Sequence, residues 1–189
     1  MAKTQPEDIG EGLDTGQFLT FILSGEEFAI SIMRVKEIIE YRDLTNVPMV
    51  PSFISGAINL RGSIVPVINL AIKFAMPPTD ITRRTCVVIM EVAMEGMSTV
   101  MGVLVDKVLQ VLDIPEGDIE PAPALGTKIR TDFIYGMGKL DDHFVVILDV
   151  DHVLSAQEVT VVGQLQTDKD ASVLQADVST ERDIENASV

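Results

Sequence analysis

The sequence predicts an all-β protein, either a sandwich or one or two small barrels, with only a few short helices. Short apolar runs recur along the chain, several of them alternating large and small residues with period two. Turn-forming residues join these runs in pairs, which is the mark of hairpins. No alternation of strands with long helical segments occurs, so a parallel nucleotide-binding α/β fold is disfavoured. With 47% hydrophobic and 23% charged residues, the chain of 189 residues has the material for a packed interior.

The first hairpin is Phe18 to Leu23, the turn Ser24-Gly25-Glu26-Glu27, and Phe28 to Ile32, where Phe28, Ile30 and Ile32 alternate with smaller residues. Met33 to Tyr41 then reads as a short helix, since Val35, Ile38 and Ile39 fall at helical spacing. Pro48 and Pro51 break any regular element between Thr45 and Ser55. Ala57 to Leu60 and Ile64 to Ile68 flank Arg61-Gly62-Ser63 as a second hairpin, with Pro66 implying an edge strand or a bulge. A third runs from Cys86 to Val92, turns near Glu95-Gly96 and returns through Thr99 to Val105. Val108 to Leu112 reads as a further strand or helix, and Pro115, Pro121 and Pro123 mark a loop. Phe133 to Met137 and Phe144 to Val150 form a fourth hairpin, followed by a helix through Val153 and Leu154 capped by Asp149 or Asp151.

Charge divides the chain into three. Residues 1–16 read as a flexible acidic N-terminus, 17–156 as the folded part, one domain or two small ones sharing a core, and 157–189 as an acidic, mobile tail. The net charge of −15 repels phosphate backbones and anionic lipid, so neither nucleic acid nor direct membrane insertion is expected. A single cysteine, Cys86, fits a reducing compartment, and the polar start of the chain has no signal-peptide core. The expected location is the cytoplasm.

Catalytic chemistry is hard to assemble from these residues. Asp141-Asp142-His143 sits at a hairpin tip and Asp149-Val150-Asp151-His152 suits a helix cap, and neither has a second His or a Cys at metal-ligand spacing. The apolar neighbours of Cys86 favour a small buried hydrophobe over a nucleophile. Gly10, Gly12 and Gly16 have no preceding strand to make a phosphate loop, and the calcium-like pattern from Asp168 lacks its Gly at Val173 and its Glu at Ser179. No catalytic residue, metal site or cofactor is expected. A ligand-binding β-barrel is the alternative from another class, but no set of convergent polar groups is legible for it. Arg61 stands out as the sole charge between Asp43 and Lys73. By itself it is a solvated hairpin-tip residue or a protein-contact anchor. Glu37, off the Val35–Ile38–Ile39 face of the expected helix, is likewise either ordinary solvated helix surface or a protein contact.

Taken together, Val35-Lys36-Glu37-Ile38, Pro48, Gly56, Asn59-Leu60-Arg61-Gly62, Pro66 and Leu70 resemble the first half of the chemotaxis coupling family, CheW. Gly102 to Val108, with Val105-Asp106 at its centre, then Pro121, Pro123 and Tyr135-Gly136, resemble the second half in order. The resemblance implies two intertwined five-stranded SH3-like barrels and no catalysis. It implies a scaffold that bridges the cytoplasmic tips of chemoreceptors and the regulatory domain of the histidine kinase CheA, in a flagellar or a non-flagellar pathway. Carried onto this chain, it places Val35, Glu37, Gly56, Arg61, Gly62, Cys86, Val87 and Gly102 in the receptor-facing region. Two positions depart from the pattern: Ala29, where Gly is commoner, implies a different local backbone, and Asn69 replaces an Asp whose cap is thereby in question.

Overall fold

The computed structural model describes residues 16–94, 96–123, 129–155, 158, 160, 161 and 164. The acidic N-terminus apart from Gly16, the calcium-like pattern and most of the 157–189 tail lie outside the described residues.

Strands β1 (Gln17–Leu23) and β2 (Glu26–Ser31) form the first hairpin. Its two-residue turn, Ser24-Gly25, has φ of 50° and 80°, the left-handed pair that a tight hairpin turn needs to match strand twist. A 3-10 turn at Ile32–Arg34 follows, capped by the Ser31 side chain, and leads into β3 (Val35–Glu40). The helix expected over Met33 to Tyr41 is therefore a strand. Val35, Ile38 and Ile39 match helical spacing, but β3 pairs antiparallel with β6 (Cys86–Met94), and that ladder overrides local pattern. A register shift between Val35 and Glu37 also disturbs the alternation by which a strand is recognised.

Strands β4 (Ile54–Leu60) and β5 (Ser63–Asn69) make the second hairpin, and β7 (Met97–Val105) completes the third with β6. β8 (Lys107–Asp113) is a strand, settling the strand-or-helix alternative there. The proline-marked loop contains a 3-10 turn at Glu116–Asp118 and the two-residue β9 (Ile119–Glu120). β10 (Ile134–Lys139) and β11 (Phe144–Leu148) form the fourth hairpin. One-turn helices α1 (Leu70–Lys73) and α2 (Val150–Val153) follow β5 and β11. Asp149 caps α2, and Asn69 caps α1 by accepting from Ile72 N–H, so an amide performs the capping that an Asp would. Ala29 lies in unbroken register between Thr20 and Ile147, without the backbone departure expected of it.

Two sheets result, in the orders β8-β1-β2-β11-β10-β9 and β3-β6-β7-β5-β4. They have six and five strands, where five each were expected, because the short β9 adds to the first. The first sheet is built from both ends of the described chain and the second from its middle. β5 is thus an internal strand. Pro66 sits one residue before its parallel pairing with β7 begins at Val67, so the missing N–H falls outside that ladder.

The halves repeat. Phe53-Ile54-Ser55-Gly56 and Phe133-Ile134-Tyr135-Gly136 open β4 and β10, and each has a register shift between its Ile and its Gly. Asn69 N–H donates to Phe53 O as Asp149 N–H donates to Phe133 O. β3 crosses to pair with β6, and β8 crosses back to pair with β1. Each sheet encloses its own cluster: Ile58, Val65, Val67, Val87, Ile89 and Leu104 in one, Phe18, Ala29, Ile114, Val145 and Ile147 in the other. A larger cluster joins the two sheets through the chain Phe21, Phe28, Phe74 and Phe133, whose successive ring centroids are 6.2, 6.3 and 5.6 Å apart.

Candidate functional site

The β4–β5 turn is made by Arg61 and Gly62, with φ of 53° and 92°, between the paired residues Leu60 and Ser63. The Asn59 side chain accepts from Gly62 N–H at 2.9 Å and closes the turn. Glycine adopts this backbone freely, whereas Arg61 adopts it at a cost of about 1–2 kcal/mol. That conformation throws the Arg61 side chain outward, where it is 82% exposed, and its guanidinium reaches Glu37 Oε2 at 3.0 Å.

Glu37 comes from β3, opposite Ile89. Arg61 and Glu37 stand on the rim of a groove of about 620 Å³ floored by Leu60, Ile64, Val65, Ile89 and Val100. Lys36 and Ser98 complete its walls. The Lys36 ammonium lies 2.7 Å from Glu91 Oε2, and the Ser98 hydroxyl donates to the other Glu91 oxygen. The hydrogen bond from Lys36, then that from Ser98, holds the Glu91 carboxyl below the usual carboxylate range. The groove thus has an apolar floor with a paired charge at two places on its rim, a pattern suited to holding a protein segment.

Of the eight residues predicted from sequence, the structure brings Glu37, Arg61 and Gly62 together at this groove. Val87 and Gly102 lie beneath it. Both are buried, and Val87 shares a cluster with the floor residues Val65 and Ile89. Gly56 is buried against the preceding Leu44–Thr45 segment, where a Cβ would stand 2.7 Å from Thr45 O. Val35 is half-buried and packs toward the core shared by the two sheets. Cys86 is at the start of β6, opposite Glu40, and is half-buried rather than the fully buried hydrophobe expected; its thiol contacts Arg84 O at 3.3 Å. Sequence reasoning missed Lys36, Ser98 and the floor residues. Lys36 had one signal, its place beside Glu37.

The histidines are engaged locally. His143 Nδ1 lies 2.6 Å from Asp142 and its Nε2 lies 3.0 Å from Glu27, while His152 Nδ1 lies 2.8 Å from Asp149, the α2 cap. Among the described residues no three or more His, Cys, Asp or Glu side chains are grouped to hold a metal ion. Among them, too, no helix is long and apolar enough to cross a membrane.

Comparison with known proteins agrees with this architecture. The family described as the CheW-like domain matches residues 17–158. The chain is 33% identical over 165 residues to the chemotaxis protein CheW of Klebsiella aerogenes, covering 87% of this chain and 94% of that one. It is 34% identical over 147 residues to CheW of Bacillus subtilis, covering 77% and 91%. The crystal structure of the scaffolding protein TtCheW from Thermoanaerobacter tengcongensis superposes with a TM-score of 0.67 at 32% identity, covering 75% of this chain and 94% of that one. The all-β double-sheet fold, the two-residue Arg-Gly turn and these likenesses identify the chain as a member of the CheW-like family of non-enzymatic chemotaxis scaffolds.

Proposed function

We propose that this chain couples the cytoplasmic tips of methyl-accepting chemoreceptors to the regulatory domain of the histidine kinase CheA, in arrays beneath the membrane. The receptor-facing surface is the groove with Glu37, Arg61 and Gly62 on its rim, and Val35, Gly56, Cys86, Val87 and Gly102 belong to its supporting region. The observation that carries the reading is the Arg61–Glu37 bridge: an exposed guanidinium, held in place across an apolar groove by a carboxylate from another strand. Arginine in such a setting is a frequent interface anchor, because its planar fork gives directed hydrogen bonds and its stem covers apolar surface.

Scaffolding needs no single tight contact. Contacts of about micromolar strength, ~8 kcal/mol each, hold an array when many are linked. Moderate strength also lets the receptor's state bias the kinase, since a partner shifts an equilibrium only by its differential affinity for the two states. The test is co-purification of the chain with a receptor signalling fragment and, separately, with the CheA regulatory domain. The reading expects both complexes, and failure to bind either one ends it.

A further inference from the structure

Successive residues of a strand point to opposite faces, yet Lys36 and Glu37 both line the groove. The cause is visible in the ladder. Val35 opposes Met90 and Glu37 opposes Ile89, so Lys36 is an extra residue with no partner of its own, a β-bulge that re-aims its side chain. The other half of the molecule has the matching irregularity, where Val108 opposes Phe21 and Val111 opposes Leu19, leaving Leu109 and Gln110 between. The bulge therefore belongs to the repeated framework, while charge at the bulge is peculiar to this groove. Lys36 is held there by Glu91, which Ser98 holds in turn from β7. That bridge is nearly half exposed at both ends, and exposed ion pairs add little to stability, so folding alone does not account for the arrangement.

We propose that Lys36 is a second partner contact, offering its ammonium to a carboxylate of the bound receptor segment, away from the Arg61 turn along the same groove. Glu91 and Ser98 are positioning residues that aim it. The proposal rests on the groove being the receptor-facing surface. A segment that fills the apolar floor and carries one acidic residue for Arg61 and another for Lys36 is fixed in register by the spacing of the two. A single anchor would leave it free to slide and pivot.

The experiment is equilibrium binding of a receptor signalling fragment to the full chain and to Lys36→Ala, Lys36→Glu, Lys36→Arg and Arg61→Ala, with thermal melts of each. Lys36→Ala is expected to weaken binding about tenfold and Lys36→Glu by more, while Lys36→Arg stays within about threefold of wild type. The melts are expected to stay close to one another, because the lost bridge is exposed. Weakened binding by Arg61→Ala with unchanged binding by Lys36→Ala and Lys36→Glu overturns the proposal and leaves the groove reading standing. Absence of binding by the wild-type chain overturns both.

Discussion

Gly102 and Val87 are fitted to one another across the β6–β7 ladder: a Cβ at position 102 would stand 2.6 Å from Val87 Cγ1, well inside contact distance. Val67 and Ile89 close the same space at 3.3 and 3.4 Å. A side chain at 102 must therefore displace the residues whose neighbours floor the groove. Gly102→Ala is expected to destabilise the fold by about 1–3 kcal/mol through overpacking. Val87→Ala opens room for the added methyl, so the double variant is expected to be more stable than the sum of the two single changes by roughly 1 kcal/mol. Chemical denaturation of the four proteins measures this coupling, and strict additivity would show that the two positions do not share this space.

Arg61 separates stability from binding. Its φ of 53° is relieved by glycine, so Arg61→Gly is expected to raise stability by up to about 1 kcal/mol. The same change removes the guanidinium and is expected to weaken receptor-fragment binding by roughly 1–3 kcal/mol. Denaturation and titration on one variant test both. A destabilised Arg61→Gly protein would mean that the Glu37 bridge outweighs the backbone strain.

Gly62 is expected to behave in the opposite way. A Cβ there meets nothing within 4 Å, but the φ of 92° lies where L-residues are strained. Gly62→Ala is therefore expected to cost about 1–2 kcal/mol with no steric clash, all of it through the turn backbone. Gly56→Ala combines that strain with a close approach to Thr45 O and is expected to cost more. Equal melting temperatures for the two variants would contradict this order.

His143 confers a pH dependence on the opposite hairpin. The Asp142 carboxylate first, and Glu27 second, hold its imidazolium above the ordinary value of 6.5. A raised folded value means that this stabilisation is complete below about pH 6.5 and is lost as pH rises through the folded value. His143 is exposed, so the effect is small. NMR titration should place its midpoint above that of a free histidine, and the difference in melting temperature between wild type and His143→Gln should shrink from about pH 5.5 to about pH 8. A midpoint at or below the free value would contradict the pairing.

Asp149 is expected to matter more than its place after a terminal strand suggests. Its carboxylate caps α2 at Asp151 N–H and meets His152. Asp149→Ala is expected to cost about 1 kcal/mol, and Asp149→Asn to retain most of that, since Asn69 already performs the same task for α1. Thermal melts of the two variants test the prediction.

Most of the framework is legible in the amino-acid sequence. Alternating apolar runs around Gly25, Gly62, Gly96 and the Lys139–His143 turn place four hairpins, because hairpin pairing is local and its turn residues are chemically restricted. β3 was not legible, because an edge strand with a bulge shows the spacing of a helix. The repeat had a sequence signal, Phe-Ile-x-Gly at positions 53–56 and 133–136, too short to weigh until the matching register shifts and caps were seen.

By itself, the sequence determined the strand-rich class, the turn that carries Arg61, and the family to which the Asn59 to Pro66 stretch belongs. Tertiary structure alone decided what Arg61 means. Glu37 lies 24 residues away in sequence and comes within 3.0 Å only because β3 leaves the β1–β2 hairpin behind and pairs with β6 in the other sheet. It also divided the predicted residues into three on the groove and others beneath or behind it, and turned Lys36 to the rim. The physical reason is the range of the interactions. Turns and caps depend on a few neighbouring residues, whereas a groove is set by long-range ladders and by a single extra residue in one of them.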